Sequence, residues 1–286
     1  MAAPLSGTAP TEEHRSEESM SEVYVTDHRG ARASGGSGTV GAPAPARESS
    51  GLPLHPLDNP SLAALTGTQA HFAERLGRVA RYSADVAPWF ALPQEPDARD
   101  WADVAALAGP GAPVALMGVR QAPPEDWEIE FEIDGVQLTG EGLRPEPYPE
   151  AVRLGAEDVP EMLELVERTR PGPFLPRTVE LGTYLGVRRE GVLVAMAGER
   201  VRPAGWSEIS AVCTDESVRG QGLATRLVLA VAHEITGRGD IPFLHAAAEN
   251  AGAVRLYESL GFRLRRTTVF RGAITPAILP SPVAGV

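Results

Sequence analysis

The stretch that most limits what this chain can become is Val212-Cys213-Thr214-Asp215-Glu216-Ser217-Val218-Arg219-Gly220-Gln221-Gly222-Leu223-Ala224-Thr225. An apolar run leads into a loop with two glycines. Apolar residues at 223, 227, 230, 231 and 235 then recur at helical spacing until Gly237. The pattern predicts a strand, a tight loop and a helix in direct succession. The first turn of such a helix carries N–H groups with no intrahelical partner, at the positive end of the helix dipole. Gly220 and Gly222 remove the β-carbons that would hold an anion off the backbone, and Ala224 is small for the same reason. The ligand suited to this geometry is a phosphate group.

Three phosphate-binding designs use such a loop. A P-loop requires Gly-x-x-x-x-Gly-Lys-Ser/Thr, and no such lysine is present. A dinucleotide fingerprint requires a third glycine at 225, where Thr225 stands, and an early βαβ position. The third design is marked by a second segment downstream, Asn250-Ala251-Gly252-Ala253-Val254-Arg255-Leu256-Tyr257-Glu258-Ser259-Leu260-Gly261-Phe262. This reads as a helix started by asparagine and ended by glycine, with a strand over 241–247 before it. Together the two segments resemble the GNAT superfamily of acetyl-CoA-dependent N-acetyltransferases. The loop signature of that superfamily, Arg/Gln-x-x-Gly-x-Gly/Ala, is matched by Arg219, Gly222 and Ala224. Its second signature has Asn at a helix start, Tyr on the helix and Gly-Phe after it. The resemblance covers residues 150–272.

The resemblance implies a mixed α/β (α+β) fold with a splayed central sheet flanked by helices. It also implies acetyl-CoA as co-substrate and direct acetyl transfer to a primary amine in a ternary complex. Val212, Cys213 and Thr214 then lie where backbone pairs with the pantetheine arm, and the N–H of Val212 steadies an oxyanion. Arg219, Gly220, Gln221, Gly222, Leu223, Ala224 and Thr225 wrap the pyrophosphate, and Asn250 bonds the pantetheine arm. Tyr257 matches the tyrosine that protonates the departing thiolate. An amphipathic-helix tyrosine with its hydroxyl at the surface is the alternative. Glu208 stands where several relatives place the proton acceptor, with Glu199 a second candidate and a strand-edge carboxylate the alternative. Strand alternation puts 208, 210 and 212 on one face, and burial is expected to raise the pKa of either glutamate. Cys213 reads as a buried structural cysteine, because no histidine is near it in sequence. The six histidines lack metal-ligand spacing, and no metal is expected.

Upstream, residues 1–55 are rich in Ser, Gly, Ala, Pro and charge, and cannot bury enough surface to offset ordering entropy. They are expected to be a disordered tail, with a partner-binding arm the alternative. Residues 56–145 read as a smaller α/β domain, an alternative being a degenerate copy of the same fold. Its elements are a helix over 61–80, a shorter helix over 100–107 and a strand over 113–117. Residues 127–133 alternate strictly, as a half-buried strand does, and Asp134-Gly135 signals a hairpin whose return strand starts at 136–138. Three prolines over 144–149 read as a linker, and 273–286 as a loose tail. One cysteine allows no intramolecular disulfide, and with no secretory start a cytoplasmic setting is expected. A net charge of −12 argues against nucleic acid, and no apolar run is long enough to span a membrane. The expected partner is a small-molecule or peptide amine. A non-catalytic acyl-CoA-binding module, and an acetyltransferase of protein N-termini or lysines, are the rival readings.

Overall fold

The computed structural model describes residues 55–278. The expected tail over 1–55 lies outside them except for His55, which caps the first turn, and the last residues, 279–286, also lie outside. The described chain opens with a 3-10 turn at Pro56–Asp58, then α1 (Pro60–Leu65), β1 (Ala73–Leu76), β2 (Val79–Tyr82), β3 (Trp89–Ala91), α2 (Ala98–Ala108), β4 (Pro113–Met117) and β5 (Glu128–Thr139). After the proline-rich segment come β6 (Val152–Leu154), α3 (Val159–Thr169), β7 (Tyr184–Arg189), β8 (Val192–Glu199), β9 (Trp206–Thr214), α4 (Leu223–Gly237), β10 (Ile241–Ala247), α5 (Ala251–Leu260) and β11 (Arg263–Ile274).

These strands form one sheet in the order β1-β2-β3-β4-β11-β5-β10-β9-β8-β7-β6. The order carries an internal symmetry. β5 and β11 lie antiparallel at the centre. Each pairs outward with a strand of the other half, β5 with β10 and β11 with β4. Beyond these, β3–β4 and β9–β10 are the two parallel pairs. Each sequence half therefore contributes a long strand to the other, and the sheet is continuous from one half to the other.

Three expectations from sequence are corrected. The helix over 61–80 stops at Leu65. Gly77, with φ 55°, supplies the left-handed step of the turn between β1 and β2. The hairpin at Asp134-Gly135 is absent: β5 runs straight through it. A ladder on each side, to β10 and to β11, outweighs the local turn preference. A β-carbon at Gly135 would sit 2.5 Å from the Phe270 ring, so this glycine serves close strand packing rather than a turn. The loose tail after Gly272 begins later than expected. Ala273 and Ile274 pair with β4, and Thr275 Oγ1 donates to Gly109 O at 2.6 Å.

The sheet is covered on both faces. On one, α4 and α5 bury Leu223, Leu227, Val231, Ile235 and Tyr257 against Leu138, Ile209 and Leu244. On the other, α3 buries Met162 and Leu165 against Tyr184, Met196, Ala211 and Cys213.

Candidate active site

The cleft begins where two parallel strands part. β9 and β10 pair only at Trp206–Ile241, Ser207–Pro242 and Glu208–Phe243. Beyond Glu208, β9 continues to Thr214 and β10 to Ala247 with no ladder between them, so one edge of β9 offers unpaired backbone groups. β9 also carries a bulge. Met196 pairs with Cys213 and Gly198 with Ser210, which leaves Ala211 and Val212 opposite Ala197 alone. Ala211 absorbs the extra residue at φ 52°. The bulge corrects the expected alternation. Val212 packs with Ile209 against the α4 side, whereas Ala211 and Cys213 lie on the α3 side. Val212 and Glu208 thus do not share a face.

Past Thr214 the chain makes a 3-10 turn at Glu216–Val218, fixed by Asp215 Oδ1 accepting from Ser217 N at 3.1 Å. Gly220 (φ 79°) and Gly222 (φ 73°) then take left-handed conformations, and Gly222 is the N-cap of α4 with no side-chain cap. Beyond the adjoining residues, nothing in the described chain lies within 4 Å of where either β-carbon would stand. Residues 219–222 are all exposed. The first turn of α4 therefore has no side-chain cap, and the loop before it borders open space. Arg219 touches the protein through Nε, 3.4 Å from Thr214 O. Arg226 holds the loop from behind, donating to Gln221 O at 3.0 Å and lying over the Tyr148 ring at 5.0 Å. Neither Arg226 nor Tyr148 is singled out by the motif. Arg226 sits one turn past the N-cap on the helix, the one signal that could have found it.

Across the cleft, Asn250 caps α5, its Oδ1 accepting from Ala253 N at 3.1 Å. Further along the same helix, Tyr257 is 9% exposed and packs edge-on against Phe262. Burial pushes its phenol up to about 12, so it is protonated at neutral pH and able to donate.

The two candidate glutamates have separate sets of partners. Glu208 is fully buried, and burial alone raises a carboxyl. Arg200 and His245 outweigh that and bring it down to about 2. Arg200 binds it bidentately, Nε at 3.0 Å and Nη2 at 2.8 Å, and His245 Nδ1 lies 2.7 Å from Oε1. The expected raised pKa is thus reversed, because the surroundings are cationic rather than apolar. Glu199 is directed elsewhere: it accepts from Thr183 N at 3.0 Å, from Ser207 Oγ at 2.6 Å and from Arg238. Those bonds tie β8 to β9 and the end of α4. Cys213 lies in the core, and burial lifts its thiol to about 11, which leaves it inert. Among the described residues no group of three or more His, Cys, Asp or Glu is placed to hold a metal ion.

Arg200 and His245 escaped the sequence reading. Arg200 was legible in principle, since the turn at 203–205 folds it back beside Glu208. His245 comes from a strand 37 residues away, and nothing local marks it.

Comparison with known proteins agrees with this geometry. The FR47-like protein family matches residues 184–271. An acetyltransferase of the GNAT family from Novosphingobium aromaticivorans is 38% identical; the match covers 77% of this chain and 98% of that one, with a TM-score of 0.71. A GCN5-related N-acetyltransferase-like protein from Streptococcus suis is 15% identical over 74% of this chain and 92% of its own, at a TM-score of 0.50, a likeness of fold alone. The mycothiol acetyltransferase of Thermomonospora curvata is 38% identical over 83 residues, which span 28% of this chain and 27% of that protein. With near-complete coverage of a solved relative at that identity, the chain belongs to the GNAT family of acetyltransferases.

Proposed function

We propose that this chain transfers an acetyl group from acetyl-CoA to a primary amine, with both substrates bound at once. The observation that carries the reading is the uncapped, open N-terminus of α4, framed by left-handed Gly220 and Gly222, beside the parting of β9 and β10. Acetyl-CoA would supply the acetyl thioester. Arg219 and the N–H groups of residues 220–225 would hold its diphosphate, and the free edge of Val212, Cys213 and Thr214 would take the pantetheine arm. Asn250 has an amide nitrogen to offer that arm, its oxygen being spent on the cap. Tyr257 would give its proton to the leaving sulfur. Glu208, held as an ion pair near pKa 2, is a poor direct base, so the amine proton would leave through water. The name of the Thermomonospora curvata relative favours a small-molecule acceptor over a protein. The single, buried cysteine fits a reducing, cytoplasmic compartment.

Residues 56–145 would be a decayed copy of the same unit. The strand order is symmetric about β5 and β11, and α2 links the parallel pair β3 and β4 as α4 links β9 and β10. The start of α2, however, is closed by Asp97, whose carboxylate accepts from the N–H groups of Arg99 and Asp100. An acidic cap occupies the place of the anion, and this half would bind no CoA. A second reading, an acyl-CoA-binding module without turnover, is favoured by the commitment of Glu208 to Arg200 and His245. Calorimetric titration with acetyl-CoA tests binding, and thiol release with primary amines tests turnover. No heat at tens of micromolar acetyl-CoA would overturn both readings; binding without thiol release would leave the second.

A further inference from the structure

At the apex of the cleft, backbone pairing gives way to a single side-chain bridge. The last β9–β10 pair is Glu208–Phe243, and Glu208 then reaches diagonally to His245, two residues further along β10. The imidazole is nearly enclosed, at 2% side-chain exposure, with the Phe243 and Phe270 rings edge-on to it at 5.7 and 6.1 Å.

The proton positions are set by its neighbours. Nδ1 meets the Glu208 carboxylate, which only accepts, so Nδ1 carries hydrogen. Nε2 lies 3.0 Å from Gln137 Nε2. The orientation of the Gln137 amide is fixed independently: Nε2 donates to Leu57 O at 2.9 Å, and Oε1 accepts from Arg265 Nη1 at 2.9 Å. Gln137 therefore donates its second hydrogen to His245, and Nε2 of the ring accepts. These contacts place the ring hydrogen on Nδ1, facing Glu208.

We propose that His245 is a positioning residue for acetyl transfer: its Nδ1–H bond to Glu208 sets the opening of β9 from β10 where the thioester must lie. This rests on the acetyl-CoA reading above. Arg200 anchors Glu208 from β8's end, and Gln137 anchors His245 from β5, so the bridge is held on both sides. An aliphatic contact could fill the same space, but it would not pull the two strands to a fixed separation. A hydrogen bond with one donor and one acceptor does.

The test uses the full chain, with His245→Asn and His245→Gln as the paired variants. Asparagine can present its N–H near the place of Nδ1. Glutamine reaches towards Gln137 and drops the bond to Glu208. The readout is the carbonyl 13C resonance of bound [1-13C]acetyl-CoA, with calorimetric affinity beside it. His245→Asn should keep the wild-type resonance. His245→Gln should move it towards the free value while acetyl-CoA affinity, set at the diphosphate loop, changes less than threefold. The 15N spectrum of wild type should show His245 as the Nδ1–H tautomer. Identical resonances in wild type and both variants, or the opposite tautomer, would overturn the proposal. Failure of wild type to bind acetyl-CoA would defeat the acetyl-transfer reading as well, whereas binding with an unmoved resonance would defeat this role alone.

Discussion

Replacing Glu208 by glutamine tests the buried ion pair at the foot of the cleft. The side chain is fully enclosed, so solvent screening does not dilute its contacts with Arg200 and His245. Its carboxyl falls from an ordinary 4.5 to about 2 in the folded chain. At about 1.4 kcal/mol per tenfold change in proton affinity, that depression corresponds to about 3 kcal/mol of folding stability. Removing one partner of a buried pair and stranding the other costs about 3–5 kcal/mol, which is the same size. The sign is that of a depressed carboxyl: the contribution is fully present above pH 4.5 and is lost as pH falls through 4.5 towards 2. By pH 3 about 2 kcal/mol of it should be gone. Urea unfolding of wild type and Glu208→Gln at a series of pH values isolates this group, because every other carboxylate is common to both. The variant should be less stable by about 3 kcal/mol at pH 7, and the gap should narrow by about 2 kcal/mol at pH 3. A gap that stayed constant with pH, or lay below about 1 kcal/mol at pH 7, would refute the ion-pair account. A full-sized loss of kcat with unchanged stability would return Glu208 to the role of proton acceptor.

The geometry of the cleft yields further expected outcomes. Gly222→Val forces a branched residue to φ 73°, so it should cost about 1–2 kcal/mol in thermal unfolding and weaken acetyl-CoA at least about tenfold by calorimetry. Asn250→Ala removes the cap on Ala253 N and should cost about 1 kcal/mol, read by chemical denaturation. Tyr257→Phe deletes the donor while keeping the packing on Phe262; kcat should fall at least about tenfold with acetyl-CoA affinity unchanged, and an unchanged kcat would reject the acid role.

The sequence was most readable where signals are local and mutually consistent. The loop at 219–222 combines an apolar strand before it, glycines in it and a helical period after it, and α4 starts within a residue of expectation. Asn250 and Gly261 bracket α5 for equally local reasons, a side-chain cap and a left-handed stop at φ 106°. Reading failed where tertiary contacts overrule local preference. Asp134-Gly135 is a good turn sequence, yet it lies in the middle of a strand flanked by two others. Apolar spacing over 61–80 suggests a helix, but Leu76 and Val79 face each other across a tight turn. At the site, the bulge at Ala211 reversed the facing of Val212. The charge on Arg200 reversed the shift expected for Glu208. A one-dimensional pattern holds neither the partner strand nor the partner charge.

The sheet topology ties these misreadings together. β5 belongs by sequence to the first half and by pairing to the second, lying between β10 and β11. It brings Gln137 to His245 and Leu138 to the core under α4 and α5. Asp134 O also accepts from Ala248 N, just before the cap of α5. The wall of the cleft that carries β10 is thus supported from behind by the other half of the chain. Residues 150–272 severed from β5 would expose one edge of β10, part the two strands that β5 bridges and leave the Glu208–His245 contact without its backing. The half whose helix start is capped by Asp97 is therefore a structural support of the half whose helix start is open. A role for residues 56–145 should be sought first in the shape of the cleft and only then in binding of their own.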